Sequence, residues 1–367
     1  MIWKMLNHAG HKTGLLTTVG WSEDGGTLHQ QLEHMTTERV EVLNERMRKV
    51  AESEAEFLVL EVTSHALSQY RTYGVPVEVA VLTNVTPEHL DYHKTFANYR
   101  KAKGRLFKGA KTSVINADDP SAGWFKKNAD GEIITYGVDG GDLRATDVEL
   151  RADGVEYACG DMKIRTQIPG EFNVYNSLAA VAAGRSVGLS DKEIEDGIFA
   201  LDAVEGRMTR VREGQKFEVI VDYAHQPDAL EKVFASVGHG TGFTGKIISV
   251  HGGAGRRDHA TREPRGEILG RESDIVIITE DDTRDEDPQE IAQMFVEGAV
   301  RAGKILDKDL FVELDREQAI KKAVGMASVG DLVLILGKGH EKTILRGDKA
   351  VPFEDIKVAR KVLAEKA

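Results

Sequence analysis

Short runs of apolar and β-branched residues recur along the chain at 57–62 (FLVLEV), 77–85 (VEVAVLTNV), 112–117 (TSVINA), 217–224 (FEVIVDYA), 246–252 (KIISVHG), 274–279 (DIVIIT) and 331–337 (DLVLILG). Near-continuous apolarity of this length predicts strands covered on both faces by helices. Between the runs, 175–187, 190–200, 227–237, 287–302, 315–327 and 355–366 carry helical spacing, and Pro288 directly after Asp287 is a helix-start signal. Strands alternating with helices predict mainly parallel sheets with right-handed crossovers, an α/β fold. The texture changes over 133–168, where alternating runs are separated by Asp-Gly and Cys-Gly turns, and antiparallel hairpins are expected there as an extension of the first domain. Gly206-Arg207-Met208 opens a new strand-rich series, so the domains are expected at 1–203 and 204–367.

A length of 367 residues supports two domains. Lys and Arg total 48 against 60 Asp and Glu, for a net charge of −12, and no long stretch is strongly basic, which argues against a nucleic-acid or anionic-membrane partner. The single cysteine, Cys159, cannot form an internal disulfide, and neither a spanning apolar run nor a signal peptide is present. A reduced, cytoplasmic protein without membrane insertion is expected.

Two clusters lie at the carboxyl ends of predicted strands, the edge where parallel α/β sheets bind ligands. One is EVTSHALSQYR, Glu61 to Arg71; the other is TNVTPEHLDYH, Thr83 to His93, with His89 between Glu88 and Asp91. A carboxylate and an imidazole from neighbouring strand ends can hold a hard divalent cation beside phosphates, although a lone histidine is more often structural. YRKAKGRLF, Tyr99 to Phe107, places Lys101, Lys103 and Arg105 on a helix that charge pattern alone reads as a solvated face. Thr36 and Thr37 fit simple β-propensity equally well.

In order and wording these clusters resemble the central domain of the Mur ligases, the nucleotide-driven amino-acid ligases of bacterial wall synthesis, and within them the MurE type. The resemblance implies a central ATPase-like domain plus a C-terminal Rossmann-like domain, with ATP and Mg²⁺ as cofactors. It assigns magnesium binding to Glu61, His89 and Lys103, the lysine being carbamylated so that an ammonium becomes an anionic oxygen ligand. It assigns Thr36, Thr37, Thr63, Gln69 and Arg71 to the UDP-muramoyl-dipeptide, an anionic substrate suited to hydroxyl, amide and guanidinium donors. NADD (116–119), GEFNVYNSLAA (170–180), EGRM (205–208) and VDYAHQPDAL (221–230) follow in the family's order. They imply Asn173 and Asn176 near the adenine, Arg207 at the phosphates and Asp222 on the ribose; otherwise the two asparagines are a helix cap and a surface residue.

The second domain is implied to choose the incoming diamino acid. HGGAGRRDHATREP, His251 to Pro264, is similar to the family's Gly-rich loop and carries Arg257 into the substrate set, though its length and its Arg-Glu-Pro ending differ. Where ligases for meso-diaminopimelate read Asp-Asn-Pro-Arg, this chain has Asp281, Asp282, Thr283 and Arg284: the arginine that can clamp a distal carboxylate is kept and the Asn-Pro pair is lost. The choice between meso-diaminopimelate and L-lysine therefore stays open. GKGHE, Gly337 to Glu341, closes the series, with Gly337 and Glu341 implied to contact the amino acid.

The family's Gly-Lys-Thr phosphate loop and uridine-nucleotide domain have no counterpart in this sequence, and Ile2 to Leu6 already looks like the helix that follows the loop. A chain without that loop is expected to catalyse poorly or not at all. The resemblance implies catalytic roles for Lys103, His89 and Arg207 in forming an acyl phosphate that the amine then attacks. A non-catalytic binding remnant, or a related folate or poly-acid ligase, are the alternatives.

Overall fold

A computed structural model describes residues 1–29, 35–151, 154–256 and 259–366, in two compact units, Met1–Asp202 and Ala203–Ala367. Arg257 lies outside the described residues.

In the first unit the helix Ile2–His8 precedes a small sheet in which Thr13–Leu16 pairs in parallel with Phe57–Leu60 and antiparallel with Trp21–Ser22. A second, four-stranded sheet runs Val79–Leu82, Thr112–Asn116, Glu132–Gly137, Leu143–Arg144, parallel throughout. The helix Phe172–Ser186 supplies Val174, Leu178 and Val181, all fully buried, to the main core, together with Met5, Val114 and Tyr136. Asp191–Phe199 follows; its start is written in the sequence, because Ser190 and Glu193 form a reciprocal capping box.

The hairpin expectation for 133–168 needs one correction. Thr146–Arg151, Gly154–Cys159 and Met162–Thr166 do form an antiparallel sheet, but Glu132–Gly137 joins the parallel sheet beside Thr112–Asn116. The physical reason is the helix Ala122–Asn128, which provides the crossover that a parallel neighbour requires. Gly131, at φ +70° and where a Cβ would fall 2.2 Å from the Lys111 carbonyl oxygen, turns the chain back into the sheet.

The second unit is built on one six-stranded sheet in the order Thr209–Arg210, Glu218–Asp222, Leu332–Leu336, Ile247–Gly253, Ile275–Glu280, Leu310–Val312. Only the first pair is antiparallel. The helices Pro227–Val237, Arg262–Glu272, Pro288–Arg301, Arg316–Met326 and Asp355–Lys366 flank it. Asp287 and Asp315 cap their helices by accepting from the amides of Gln289 and Gln318, and Pro227 and Pro288 occupy the first helical turn, as the sequence signals require. Strand Leu332–Leu336 lies in the middle of the sheet, wholly buried, and delivers residue 337 to the centre of its carboxyl edge.

Candidate active site

In the first unit the strand Phe57–Leu60 ends at Glu61, whose Oε2 accepts from the amide and the hydroxyl of Thr18, both at 2.9 Å. Thr36 Oγ1 lies 2.8 Å from Thr18 Oγ1. Thr37 Oγ1 donates to the Glu61 carbonyl at 3.0 Å and accepts from the Thr63 amide at 2.9 Å, while Thr63 caps the helix Ser64–Ser68. Arg71 donates to the Thr37 carbonyl at 2.7 Å and grips Gln69 Oε1 with Nε and a terminal nitrogen, at 2.9 and 2.6 Å. Thr36, Thr37, Thr63, Gln69 and Arg71 thus form one connected polar network around the strand end. Thr36 and Thr37 lie in a bend, so strand propensity does not account for them.

His89 caps the short helix Leu90–His93 with a left-handed backbone, φ 53°, a conformation that costs energy outside glycine and that recurs at functional sites. Its ring sits 4.8 Å from that of His65 and 6.4 Å from that of Tyr99. Lys103, half-buried on the helix Phe96–Gly104, approaches the same Tyr99 ring at 5.3 Å. Burial lowers the pKa of the Lys103 ammonium against the opposing pull of Glu88, Glu61 and Asp119. Lys103 is therefore not the solvated helix lysine that charge pattern alone describes. Asp119 is tied down, accepting from the amides of Val85 and Ser121 at 2.7 Å each. Asn173 is buried with its amide donated to the carbonyls of Pro169 (2.8 Å) and Ile168 (3.4 Å), and Asn176 donates to Asn173 Oδ1 at 3.2 Å. Both asparagines brace the start of the helix Phe172–Ser186; the cap itself, Glu171, makes no side-chain capping bond.

In the second unit Asp222 ends its strand with both carboxylate oxygens occupied, by the amides of Met208 (2.7 Å) and Ala224 (2.8 Å), and burial raises its pKa. Arg207, exposed, lies over the Tyr223 ring at 4.7 Å, and Tyr223 in turn neighbours the rings of His225 and His340. A Cβ on Gly206 would fall 2.0 Å from the His340 amide nitrogen, so the EGRM turn and the GKGHE loop meet backbone to backbone.

The densest charge cluster sits at the sheet's central carboxyl edge. Lys338 is completely buried, and its ammonium donates to Asp281 Oδ1 at 3.1 Å, Asp282 Oδ1 at 2.9 Å and Glu341 Oε2 at 2.7 Å. The three carboxylates lie close enough together to suit a metal ion, but the Lys338 ammonium already stands among them. Burial raises the Asp281 pKa, yet Lys338 and Arg316 outweigh it and hold the group below the usual carboxylate range. Glu341 is pushed up to about 7 by burial and by repulsion from Asp281 and Asp282, in spite of Lys338. Arg316, also fully buried, chelates Asp355 at 2.7 and 2.8 Å and donates to the carbonyls of Leu336 and Glu280, bracing the two strand ends that carry the cluster. Arg284 has a left-handed backbone, φ 53°, and its guanidinium donates to the Gly255 carbonyl at 3.2 Å. The glycines of the adjacent loop serve packing: a Cβ on Gly252 would meet the Glu280 carbonyl at 2.7 Å, and one on Gly255 the Thr283 carbonyl at 2.1 Å.

Sequence reasoning missed Lys338, Arg316 and Asp355. The available signal for Lys338 was its place between two glycines directly after a wholly apolar strand; Arg316 and Asp355 looked like ordinary helix-start charges.

The Mur ligase middle-domain model matches residues 1–184, and the Mur ligase glutamate-ligase-domain model matches residues 206–339. The UDP-N-acetylmuramoyl-L-alanyl-D-glutamate--2,6-diaminopimelate ligase of Geobacillus thermodenitrificans is 38% identical over 381 residues, covering 100% of this chain and 76% of its own. The UDP-N-acetylmuramyl-tripeptide synthetase of Deinococcus radiodurans is 38% identical, covering 99% and 74%. A solved UDP-N-acetylmuramoyl-L-alanyl-D-glutamate--2,6-diaminopimelate ligase superposes with a TM-score of 0.66 at 28% identity, over 100% of this chain and 75% of that one. The folylpolyglutamate synthase of Mycobacterium tuberculosis shares the fold alone, with a TM-score of 0.69 at 16% identity over 92% and 84%. Among the described residues no helix is long and apolar enough to cross a membrane. Two domain models in sequence order and relatives above 30% identity along the whole chain establish that this protein belongs to the Mur ligases, a family of ATP-dependent, ADP-forming ligases.

Proposed function

We propose that the protein serves peptidoglycan precursor synthesis by joining a diamino acid to UDP-N-acetylmuramoyl-L-alanyl-D-glutamate, the reaction named for its relatives. The observation that carries this reading is the buried Asp281, Asp282, Glu341 and Lys338 array at the sheet's carboxyl edge. Three carboxylates around one ammonium leave two net negative charges at full ionisation, a receptor for an ammonium and a poor one for the side chain of an acidic amino acid.

The terminal carboxylate of the dipeptide is activated as an acyl phosphate, the amine attacks, and phosphate leaves. Catalysis in such a scheme is mostly positioning and charge neutralisation, consistent with a site rich in donors and ligands. Thr36, Thr37, Thr63, Gln69 and Arg71 bind the UDP-muramoyl-dipeptide in this reading, as a preorganised donor network. Arg207 offers an exposed guanidinium to phosphate, Asp222 a carboxylate to ribose, and Asn173 and Asn176 shape the adenine side through the helix start they brace. Arg257 joins the substrate set from outside the described residues.

The donors around Lys103 fit a magnesium ion. Glu61 is a hard oxygen ligand, His89 faces the same aromatic ring as Lys103, and burial moves Lys103 toward the neutral amine that can take up carbon dioxide and become an anionic carbamate. Glu61, His89 and Lys103 would hold the cation, which when bound offsets the charge of the phosphates. Glu341 receives the amino acid's ammonium, with Gly337 leaving room beside it and Asp281 and Asp282 behind. Arg284 is poised for a distal carboxylate, which favours meso-diaminopimelate, as in the names of several relatives. The domains assigned to these roles are 1–203 and 204–367, with a cytoplasmic setting where the nucleotide substrates are found.

The test, made on the chain supplied with the family's Gly-Lys-Thr segment, is mass-spectrometric detection of the UDP-muramoyl-tripeptide after incubation with ATP, Mg²⁺, the dipeptide substrate and, separately, meso-diaminopimelate, L-lysine or L-glutamate. Product with a diamino acid and none with L-glutamate supports the reading. Product with L-glutamate alone would place the chain with the poly-acid ligases, and saturable diamino-acid binding without product would favour a binding protein.

A further inference from the structure

Resting on the reading of Glu341 as the carboxylate that meets the substrate's ammonium, we propose that Lys338 is a positioning residue of the amino-acid pocket. Its ammonium stays out of reach of the substrate and holds Asp281, Asp282 and Glu341 in one array, with Glu341 presented outward.

A lysine has three N–H donors on a tetrahedral nitrogen, and Lys338 places them on three different carboxylates at 2.7–3.1 Å while being completely excluded from solvent. Asp282 Oδ1 also accepts from the Leu345 amide at 3.0 Å, and Asp281 Oδ1 from the Asp282 amide at 2.7 Å. The two aspartates are thus anchored to backbone, and Lys338 carries that anchorage over to Glu341. Side-chain exposure rises outward through the array, 0% for Lys338, 8% and 7% for Asp281 and Asp282, and 16% for Glu341.

The backbone is shaped for this inward lysine. Gly337 and Gly339 flank it at φ +109° and +55°. A Cβ on Gly339 would press on the Gly206 carbonyl at 2.6 Å and on Tyr223 Cβ at 2.7 Å. Buried ion pairs can often be replaced by apolar residues without loss of stability, and an array with excess negative charge is harder still to justify as a folding device. A second feature faces the array. A Cβ on Gly337 would stand 3.4 Å from Asp281 Oδ2 and 3.5 Å from His251 Nδ1, and neither ring nitrogen of His251, wholly buried, has a hydrogen-bond partner. Polar atoms with hydrogen-bonding capacity to spare thus lie beside Gly337, as expected where a polar ligand binds.

Among the described residues, three neighbouring ionisable groups bear on the array. Arg316, from the helix Arg316–Met326, is paired with Asp355 but still acts on Asp281 and Glu341. His251, from the strand Ile247–Gly253, is held neutral by burial. Glu280, at the end of its own strand, is paired with Arg346. Lys338 donates directly to Glu341 and holds its pKa down against burial, so removing it should move the titration of Glu341 upward.

The test is calorimetric binding of meso-diaminopimelate and of L-lysine to the full chain between pH 6 and 9, for the wild type, Lys338→Met and Lys338→Arg. In the wild type, affinity should fall about tenfold per pH unit once Glu341 is protonated. In Lys338→Met that fall should begin at least about one pH unit higher, the usual size of losing an adjacent opposite charge. Lys338→Arg keeps the charge but replaces a tetrahedral donor set by a planar fork, so its pH midpoint should match the wild type while affinity at pH 8.5 drops about tenfold or more. A folded Lys338→Met with an unmoved midpoint, or a Lys338→Arg that binds like the wild type, overturns the proposal. If Lys338→Met does not fold, Lys338→Arg decides alone. Absence of diamino-acid binding in the wild type at every pH would instead overturn the reading of the pocket itself.

Discussion

Arg316→Met should be among the most damaging single substitutions in the second unit, and its cost can be worked from the contacts. The guanidinium is 0% exposed and holds Asp355, also 0% exposed, through two bonds of 2.7 and 2.8 Å. It also donates to the carbonyls of Leu336 at 3.0 Å and Glu280 at 3.3 Å. Methionine approximates the volume of the stem but leaves a carboxylate buried without its counter-charge, a loss of roughly 3–5 kcal/mol. Removing both charges, in Arg316→Met with Asp355→Leu, should recover most of it, because the pair itself contributes little against apolar packing. Urea unfolding of the full chain, followed by a signal from the second unit, should show the midpoint of the single variant lowered by about 1–3 M and the double variant close to wild type. Because the two carbonyls belong to the strand ends bearing Asp281 and Gly337, the double variant should remain impaired in amino-acid binding even where stability is restored. A single variant within about 1 kcal/mol of wild type, or a double variant no better than the single, would refute the reasoning.

With the family's Gly-Lys-Thr segment supplied, Lys103→Ala should lower turnover by about 10²-fold or more, with partial recovery on adding a short carboxylic acid that can replace the carbamate; unchanged turnover would remove Lys103 from the metal site. Gly339→Ala should cost roughly 1–3 kcal/mol, since the left-handed backbone and the contacts with Gly206 and Tyr223 both oppose a Cβ; thermal melting reads it. Glu341 takes up its proton near pH 7 in the folded chain and near 4.5 when unfolded, so the native state binds more protons between those values. Stability should therefore fall as pH rises from about 5 to 7, and Glu341→Gln should flatten that fall while abolishing diamino-acid binding; an equal fall in the variant contradicts the assignment. Leu178→Ala, at a fully buried position of the helix Phe172–Ser186, should cost about 2–5 kcal/mol by urea unfolding without shifting the pH dependence of binding.

Much of this architecture could be read from the chain alone, for identifiable reasons. The strands Ile247–Gly253 and Leu332–Leu336 are wholly buried within the helix-flanked sheet, which leaves runs too short for a helix and too continuous for an exposed strand, whereas Phe57–Leu60, at the edge of its sheet, is only half-buried. Helix starts at Pro288 and Asp191 carry their caps in the adjacent residues, and the start at Pro227 is marked by the proline itself. The strand Glu132–Gly137 was less legible because pairing direction depends on the intervening helix, and Ala122–Asn128 is short. The polar network joining Thr36, Thr37 and Thr63 was reached only through resemblance, since threonines carry the same local signature in a bend as in a strand. Lys338 and Arg316 were invisible for a different reason. Burial of a charge depends on partners far along the chain, here 57 residues away for Asp281 and 39 for Asp355, and nothing local records it.

The most direct test of the account is calorimetric titration of meso-diaminopimelate into the full chain at pH 8, with saturating UDP-N-acetylmuramoyl-L-alanyl-D-glutamate and a non-hydrolysable ATP analogue. The account expects saturable binding that Glu341→Gln abolishes and that L-glutamate does not compete. Binding of L-glutamate in preference to meso-diaminopimelate, or meso-diaminopimelate binding indifferent to Glu341→Gln, would contradict it.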